Sequence, residues 1–377
     1  MNNNLKKILV FFTLLFSIYV AFCMVTVYQS FSSGLFISSV LKENFWQVKK
    51  NEGQYIIGII TPNRKGEMNQ ALMVKQAAEN TGNLAYVYAF NDLDMQLFTL
   101  ARYINNIVIY IMDYFIKTDF HLAMSFHVNL NISEPKMMYI SVPKNYLIER
   151  EKLKEFPDIA EYNNFIDINL LNSNDDMMSE LLHRKVNSAY GLVGVPANDY
   201  KTSNHDKLVL FGSLWGRKTD GLQTAVKLLA AKDYMFFIKN AYLLLGVDQK
   251  FTKPANNLSS LQEVLNKYGI ALCVHSKFHV MEAVPSSRIF EIISSGAVAI
   301  SDKNPFVIKY FGDNVLYFDS SLSAEEIFKQ IDGHVRWLQE HPLQADEMAK
   351  NAHKILQENF TTEKFVKDII NFYLKIK

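Results

Sequence analysis

The sequence predicts an α/β protein: two parallel-sheet domains behind an N-terminal apolar helix. Three observations point there. Short apolar runs of strand length alternate with amphipathic helical stretches from Tyr55 onward. The same alternation restarts at Leu208, after a polar, Asn-rich middle. An uncharged apolar run opens the chain. At 377 residues there is room for two domains of ordinary size, and 49% hydrophobic residues supply their cores.

Taken in order, Lys6 and Lys7 precede the run Ile8 to Tyr28, whose 21 residues carry no charge. As a helix it is long enough to cross ~30 Å of hydrocarbon. An uncleaved anchor over 1–28 is the reading preferred to a cleaved signal peptide, because the run exceeds a usual signal core and no small-x-small site follows promptly. Lys42, Lys49 and Lys50 blunt the charge asymmetry, so the side of the membrane stays open. Residues 29–52 read as a stem.

The first domain spans 53–200. Tyr55 to Thr61 is a buried-strand pattern, Asn69 to Glu79 a helix, and Leu84 to Phe90 a second strand. Met95 to Phe115 reads as a long apolar helix, followed by strands at His121 to His127 and Met137 to Val142. Three candidates sit at strand ends here. Gly66 follows the first strand and lets backbone approach a ligand. Asp92 and Asp94 follow the second, where they suit acceptor contacts or a helix cap. His127 closes the third and is either a general base or a structural strand-end histidine.

The second domain spans 201–377. Leu208 to Ser213 is its first strand, and GSLWGRK (Gly212 to Lys218) follows at once. Gly212 allows a tight turn whose amides can face phosphate oxygens, and Arg217 with Lys218 can neutralise a diphosphate. The loop is neither a Walker loop nor a G-x-G-x-x-G fingerprint, so ATP and NAD gain no support. After strands at Phe236 to Lys239 and Ile270 to His275 comes PSSRIFEIISSGAVAIS, Pro285 to Ser301. It reads as a helix and then a strand. Ile289, Ile292 and Ile293 face a sheet while Arg288 and Glu291, three apart, share the other face. Gly296 suits a left-handed helix cap, and Asp302 ends the strand at the mouth of the sheet, facing a ligand with hydroxyls and phosphates. Arg288 either orients Glu291 or reaches a diphosphate.

Composition excludes some classes. Thirty-nine basic against thirty-eight acidic residues leave a net charge of +1, with no electrostatic footprint for nucleic acid. The two cysteines, Cys23 and Cys273, form no C-x-x-C, and no H-E-x-x-H occurs, so a zinc site has no spacing to support it.

Arg288, Phe290, Glu291, Gly296 and Asp302 resemble the donor half of group 1 glycosyltransferases, nearest the spore-maturation-protein-like branch. The run GDNVLYFDS (Gly312 to Ser320), then Ala324 to Ile327, and the tail through Asn351, Ala352, Phe360 and Phe365 follow the same order. The resemblance covers roughly Leu208 to the C-terminus. It implies two Rossmann-like domains (the GT-B fold), with 53–200 on the acceptor side and 201–377 binding a nucleotide sugar. The donor is then a nucleotide diphosphate sugar, the acceptor a glycan, lipid or protein hydroxyl, and no cofactor or metal is required. Glu291 takes the ribose hydroxyls. Gly66, Gly212, Arg217, Lys218 and Arg288 hold the phosphates. His127 and Glu282 serve the chemistry. Relatives carry the two glutamates closer together than Glu282 and Glu291, which are nine apart here, and that departure leaves the retaining mechanism open. A fucosyltransferase-like enzyme of the same architecture, or a degenerate glycan or partner binder, are the alternatives.

Overall fold

The computed structural model describes residues 50–62, 65–90, 117–125, 135–149, 157–171, 177–212, 220–238, 250–252, 255 and 257–377. The expected anchor at 8–28, most of the stem and the expected helix at 95–115 lie outside them. Among the described residues no helix is long and apolar enough to cross a membrane.

Packing divides the chain into two compact units. One runs to Ile140 and adds Phe156–Ile166 and Ile370–Lys377; the other comprises Ser141–Glu155 and Asp167–Ile369. The first sheet begins with β1 (Ile56–Pro62), α1 (Lys65–Asn80), β2 (Leu84–Phe90), β3 (Phe120–Ala123) and β4 (Lys136–Ile140). It goes on through α2 (Lys144–Glu149), β5 (Asn164–Asp167), α3 (Met177–Leu182) and β6 (Asn187–Tyr190). Strand order is β2-β1-β3-β4-β5-β6. The β1 pairings with β2 and β3 are parallel, and β1 is buried along its whole length. A strand covered on both faces reads as a continuous apolar run, as Ile56 to Ile60 does. β3 ends at Ala123, short of the expected His127.

The second sheet is built from β7 (Lys207–Leu210), α4 (Asp220–Ala230), β8 (Met235–Ile238), β9 (Phe251–Thr252), α5 (Leu258–Tyr268) and β10 (Gly269–Cys273). Then come α6 (Lys277–Met281), α7 (Ser287–Ser294), β11 (Val298–Asp302), α8 (Pro305–Phe311) and β12 (Leu316–Phe318). Three helices finish the chain: α9 (Ala324–Glu340), α10 (Pro342–Asn359) and α11 (Thr362–Ile376). Local chemistry sets their ends. Asn257 and Ser260 make a capping box at α5, and Ser323 with Glu326 makes another at α9. The final residues of α11 sit in the first unit, where the Tyr373 ring lies 4.9 Å from that of Phe120.

Strand order in this sheet is β12-β11-β10-β7-β8-β9, and its pairings are parallel. Alternate residues along β7 and just past it feed two cores: Leu208 and Leu210 pack with α4 and α9, Val209 and Phe211 with α7 and α10. From β7 the chain steps one way to β8 and β9, then returns to lay down β10, β11 and β12 on the other side. The order therefore reverses between β7 and β10. In open α/β sheets the crevice outside the carboxyl ends at such a reversal is where ligands bind.

Candidate functional site

Gly212 lies just past the carboxyl end of β7, at φ +96°. A Cβ there would sit 2.5 Å from Nη1 of Arg288 and 2.9 Å from its Cδ. The positive φ favours glycine, and a Cβ there would displace the arginine laid over it. Arg288 is fastened from its other side, where Nη2 donates to Ser286 Oγ at 2.7 Å. Ser286 occupies the N-cap of α7 without a side-chain bond to the helix's amides. The first-turn N–H groups of α7 thus lack the usual cap, beside a guanidinium. Two residues singled out in the sequence, 76 positions apart, meet at the reversal point.

Glu291 stands one turn further along α7. Ile289, Phe290, Ile292 and Ile293 around it are fully buried, and Phe290 packs on Phe306 and Phe360. Glu291 itself keeps part of its surface open. Among the described residues no ion pair or hydrogen bond reaches its carboxylate; Arg288, the partner its spacing allows, is turned to Ser286 instead. Desolvation with no compensating partner pushes its carboxyl up from 4.5 to about 7. Such a group favours the protonated folded state, so stability declines as pH rises from about 4.5 to about 7. The loss is on the order of 2–3 kcal/mol. Urea unfolding at successive pH values should show that decline in the wild type, and Glu291→Gln should remove it.

Asp302 corrects the sequence reading. Expected to face a ligand at the mouth of the sheet, it is buried to 1%. Its Oδ2 accepts the backbone N–H of His275 at 2.7 Å and its Oδ1 the ring Nδ1–H at 2.6 Å. Burial opposes charge on His275, but the Asp302 carboxylate and the Cys273 sulfur outweigh it and hold the imidazole above its ordinary range. Cys273 is a buried free thiol. The pairing of His275 with Asp302 was missed in the sequence; the signal available was that each stands at the carboxyl end of an expected strand.

Glu282 ends α6, and its Oε1 accepts the Asn145 amide at the start of α2, at 2.6 Å. Burial raises its carboxyl above the ordinary value, with the Asn145 and Lys144 amides working against that. His279 is buried against Ser276 Oγ through Nδ1 at 2.6 Å. Gly66 is exposed in the first turn of α1. Arg217, Lys218, His127, Asp92 and Asp94 lie outside the described residues. Among the described residues no cluster of three or more His, Cys, Asp or Glu could hold a metal.

The fold and this edge define a protein of the two-domain, Rossmann-like GT-B class. A glycosyltransferase from Rickettsia africae has the same fold at 13% identity and TM-score 0.53, covering 86% of this chain and 99% of that one. Anabaena HepE in complex with UDP-glucose matches at 12% identity and TM-score 0.54, covering 84% and 99%. Sucrose-phosphate synthase from Thermosynechococcus elongatus matches at 10% identity and TM-score 0.55, covering 86% and 99%. Residues 198–371 match the family model described as glycosyl transferase-like, so that part of the chain carries a domain of that kind. No curated protein sequence matches the chain.

Proposed function

We propose that this chain is a glycosyltransferase that takes a nucleoside diphosphate sugar at the carboxyl edge of the second sheet. The sugar passes to a hydroxyl of a glycan, lipid or protein acceptor. One observation carries the reading: a partly open Glu291 carboxylate, without a partner among the described residues, on the helix whose arginine lies over the Gly212 turn. An ionised carboxylate accepts two hydroxyl donors at once, which suits a ribose. Arg288 and the uncapped amides of α7 suit the diphosphate, with Arg217 and Lys218 adding charge from the loop after Gly212. Stabilised this way, the diphosphate can leave without a metal. As the acceptor oxygen bonds to the anomeric carbon and the bond to the phosphate oxygen breaks, His127 is our candidate to take the hydroxyl proton, Glu282 to serve the transferred sugar, and Gly66 to offer its backbone to the ligand. The glycosyl transferase-like match and the UDP-glucose complex of the Anabaena neighbour support the donor class. The spore-maturation-like branch and a membrane anchor through 8–28 belong to the same proposal. One fact favours a non-catalytic relative: Glu282 is engaged with the Asn145 amide.

A thermal-shift panel of UDP, GDP, ADP, CDP and dTDP tests the reading. At least one should raise the melting temperature by several degrees, since ligand binding stabilises by mass action. A panel without any shift ends the proposal. Slow release of nucleotide from the matching sugar donor separates an enzyme from a binder.

A further inference from the structure

We propose that His275 and Asp302 are a positioning clamp that sets where α7 begins, and so where the donor diphosphate and ribose are held. The inference rests on the donor-site reading above. Its basis is a run of buried polar contacts that the donor contacts themselves do not use. Asp302 grips both the backbone and the ring of His275. Ser276, the next residue, caps α6 and holds His279 Nδ1 at 2.6 Å. Asn304, fully buried, donates from Nδ2 to the carbonyls of His279 at 3.1 Å and Val284 at 2.9 Å, and its Oδ1 accepts the Phe306 amide at 2.9 Å.

The segment 275–284 is thereby fastened at both ends to the junction of β11 and α8. Two residues past Val284 stands Ser286, which holds Arg288 over Gly212. The end of β11 thus dictates the start of α7. A second observation agrees: Ala283, inside the fastened segment, sits at φ +54°, a left-handed conformation that a residue with a Cβ keeps only where its surroundings impose it. Stability alone is a poor reason for the pair. A buried ion pair is commonly no better for the fold than apolar residues of similar size.

Asp302→Ala removes the clamp, whereas Asp302→Asn keeps an acceptor for the His275 amide and a partner for the ring. Titration with the tightest-binding of the five nucleoside diphosphates should show affinity reduced about tenfold or more in Asp302→Ala. Asp302→Asn should recover most of it, to within about threefold. A folded Asp302→Ala that binds as the wild type does overturns the clamp and leaves the donor site standing. A wild type that binds none of the five overturns both. Should Asp302→Ala fail to fold, the wild type decides: the His275 Nδ1–H resonance, assigned by its loss in His275→Gln, should shift when the nucleotide saturates the site. A resonance indifferent to bound nucleotide overturns the clamp.

Discussion

Glu291→Ala is expected to weaken nucleoside diphosphate binding by tenfold to about a hundredfold while the unliganded protein melts no lower than the wild type. The affinity loss follows from two hydroxyl bonds to a charged acceptor, each worth about 1.5–3 kcal/mol before the cost of desolvation. Unchanged melting follows from the site's own defect. A carboxylate partly drawn out of water, with no partner among the described residues, destabilises the empty fold, so its removal relieves the protein. Calorimetric titration and scanning calorimetry on one preparation read both quantities. The same carboxylate gives binding a pH dependence of opposite sense to the stability. UDP-glucose, or the sugar of whichever nucleotide binds, carries a diphosphate diester that does not titrate near neutrality. Its affinity should rise between about pH 6 and 8 as Glu291 ionises, and should be flat in Glu291→Gln. Wild-type affinity in Glu291→Ala would remove the ribose assignment.

Much of this helix was legible in the sequence, and for physical reasons. Three isoleucines at helical spacing can bury only one way, and a glycine after Ser295 can end the helix in a conformation other residues avoid. Strands such as Leu84–Phe90 matched their apolar runs because a parallel sheet buries both faces. Side-chain aim was not legible. Arg288 and Glu291 are spaced to pair, yet Ser286 at the N-cap and the approach of Gly212 draw the guanidinium away, and Gly212 is remote from Glu291 in the sequence. Asp302 looked like a ligand contact for the same reason. Pairing of Cys273 with Ser301 in the β10–β11 register brings His275 beside it, and a linear sequence does not display registers. The two-residue strand β9 and the short helix α2 carry too few residues for a period to show.

Gly296→Ala is expected to cost the protein more than about 3 kcal/mol, well beyond the ordinary penalty for losing a glycine. Gly296 sits at φ +81°, and a Cβ on it would lie 1.9 Å from the carbonyl oxygen of Lys201. That obstacle is backbone, and it is pinned. Asn266 Nδ2 bonds the Lys201 and Thr202 carbonyls at 3.0 and 3.2 Å and the Ser295 carbonyl at 2.8 Å. Ser203 Oγ donates to the Gly296 carbonyl itself at 2.9 Å. The segment 201–205 also presses on Gly269, where a Cβ would meet the His205 nitrogen at 2.1 Å. It therefore crosses the amino ends of β10 and β11 together, and retreat from one glycine strips its bonds to both. Gly312 supplies the control, since its backbone also disfavours a side chain, at φ +49° and ψ −130°, but nothing lies within 4 Å of its missing Cβ. Gly312→Ala should cost only the backbone term, on the order of 1–3 kcal/mol. Urea unfolding of the two variants should show the larger loss in Gly296→Ala, with a melting temperature lower by several degrees. Equal losses would mean that the 201–205 segment yields freely, and that the amino edge of the second sheet is held by something other than these two close approaches.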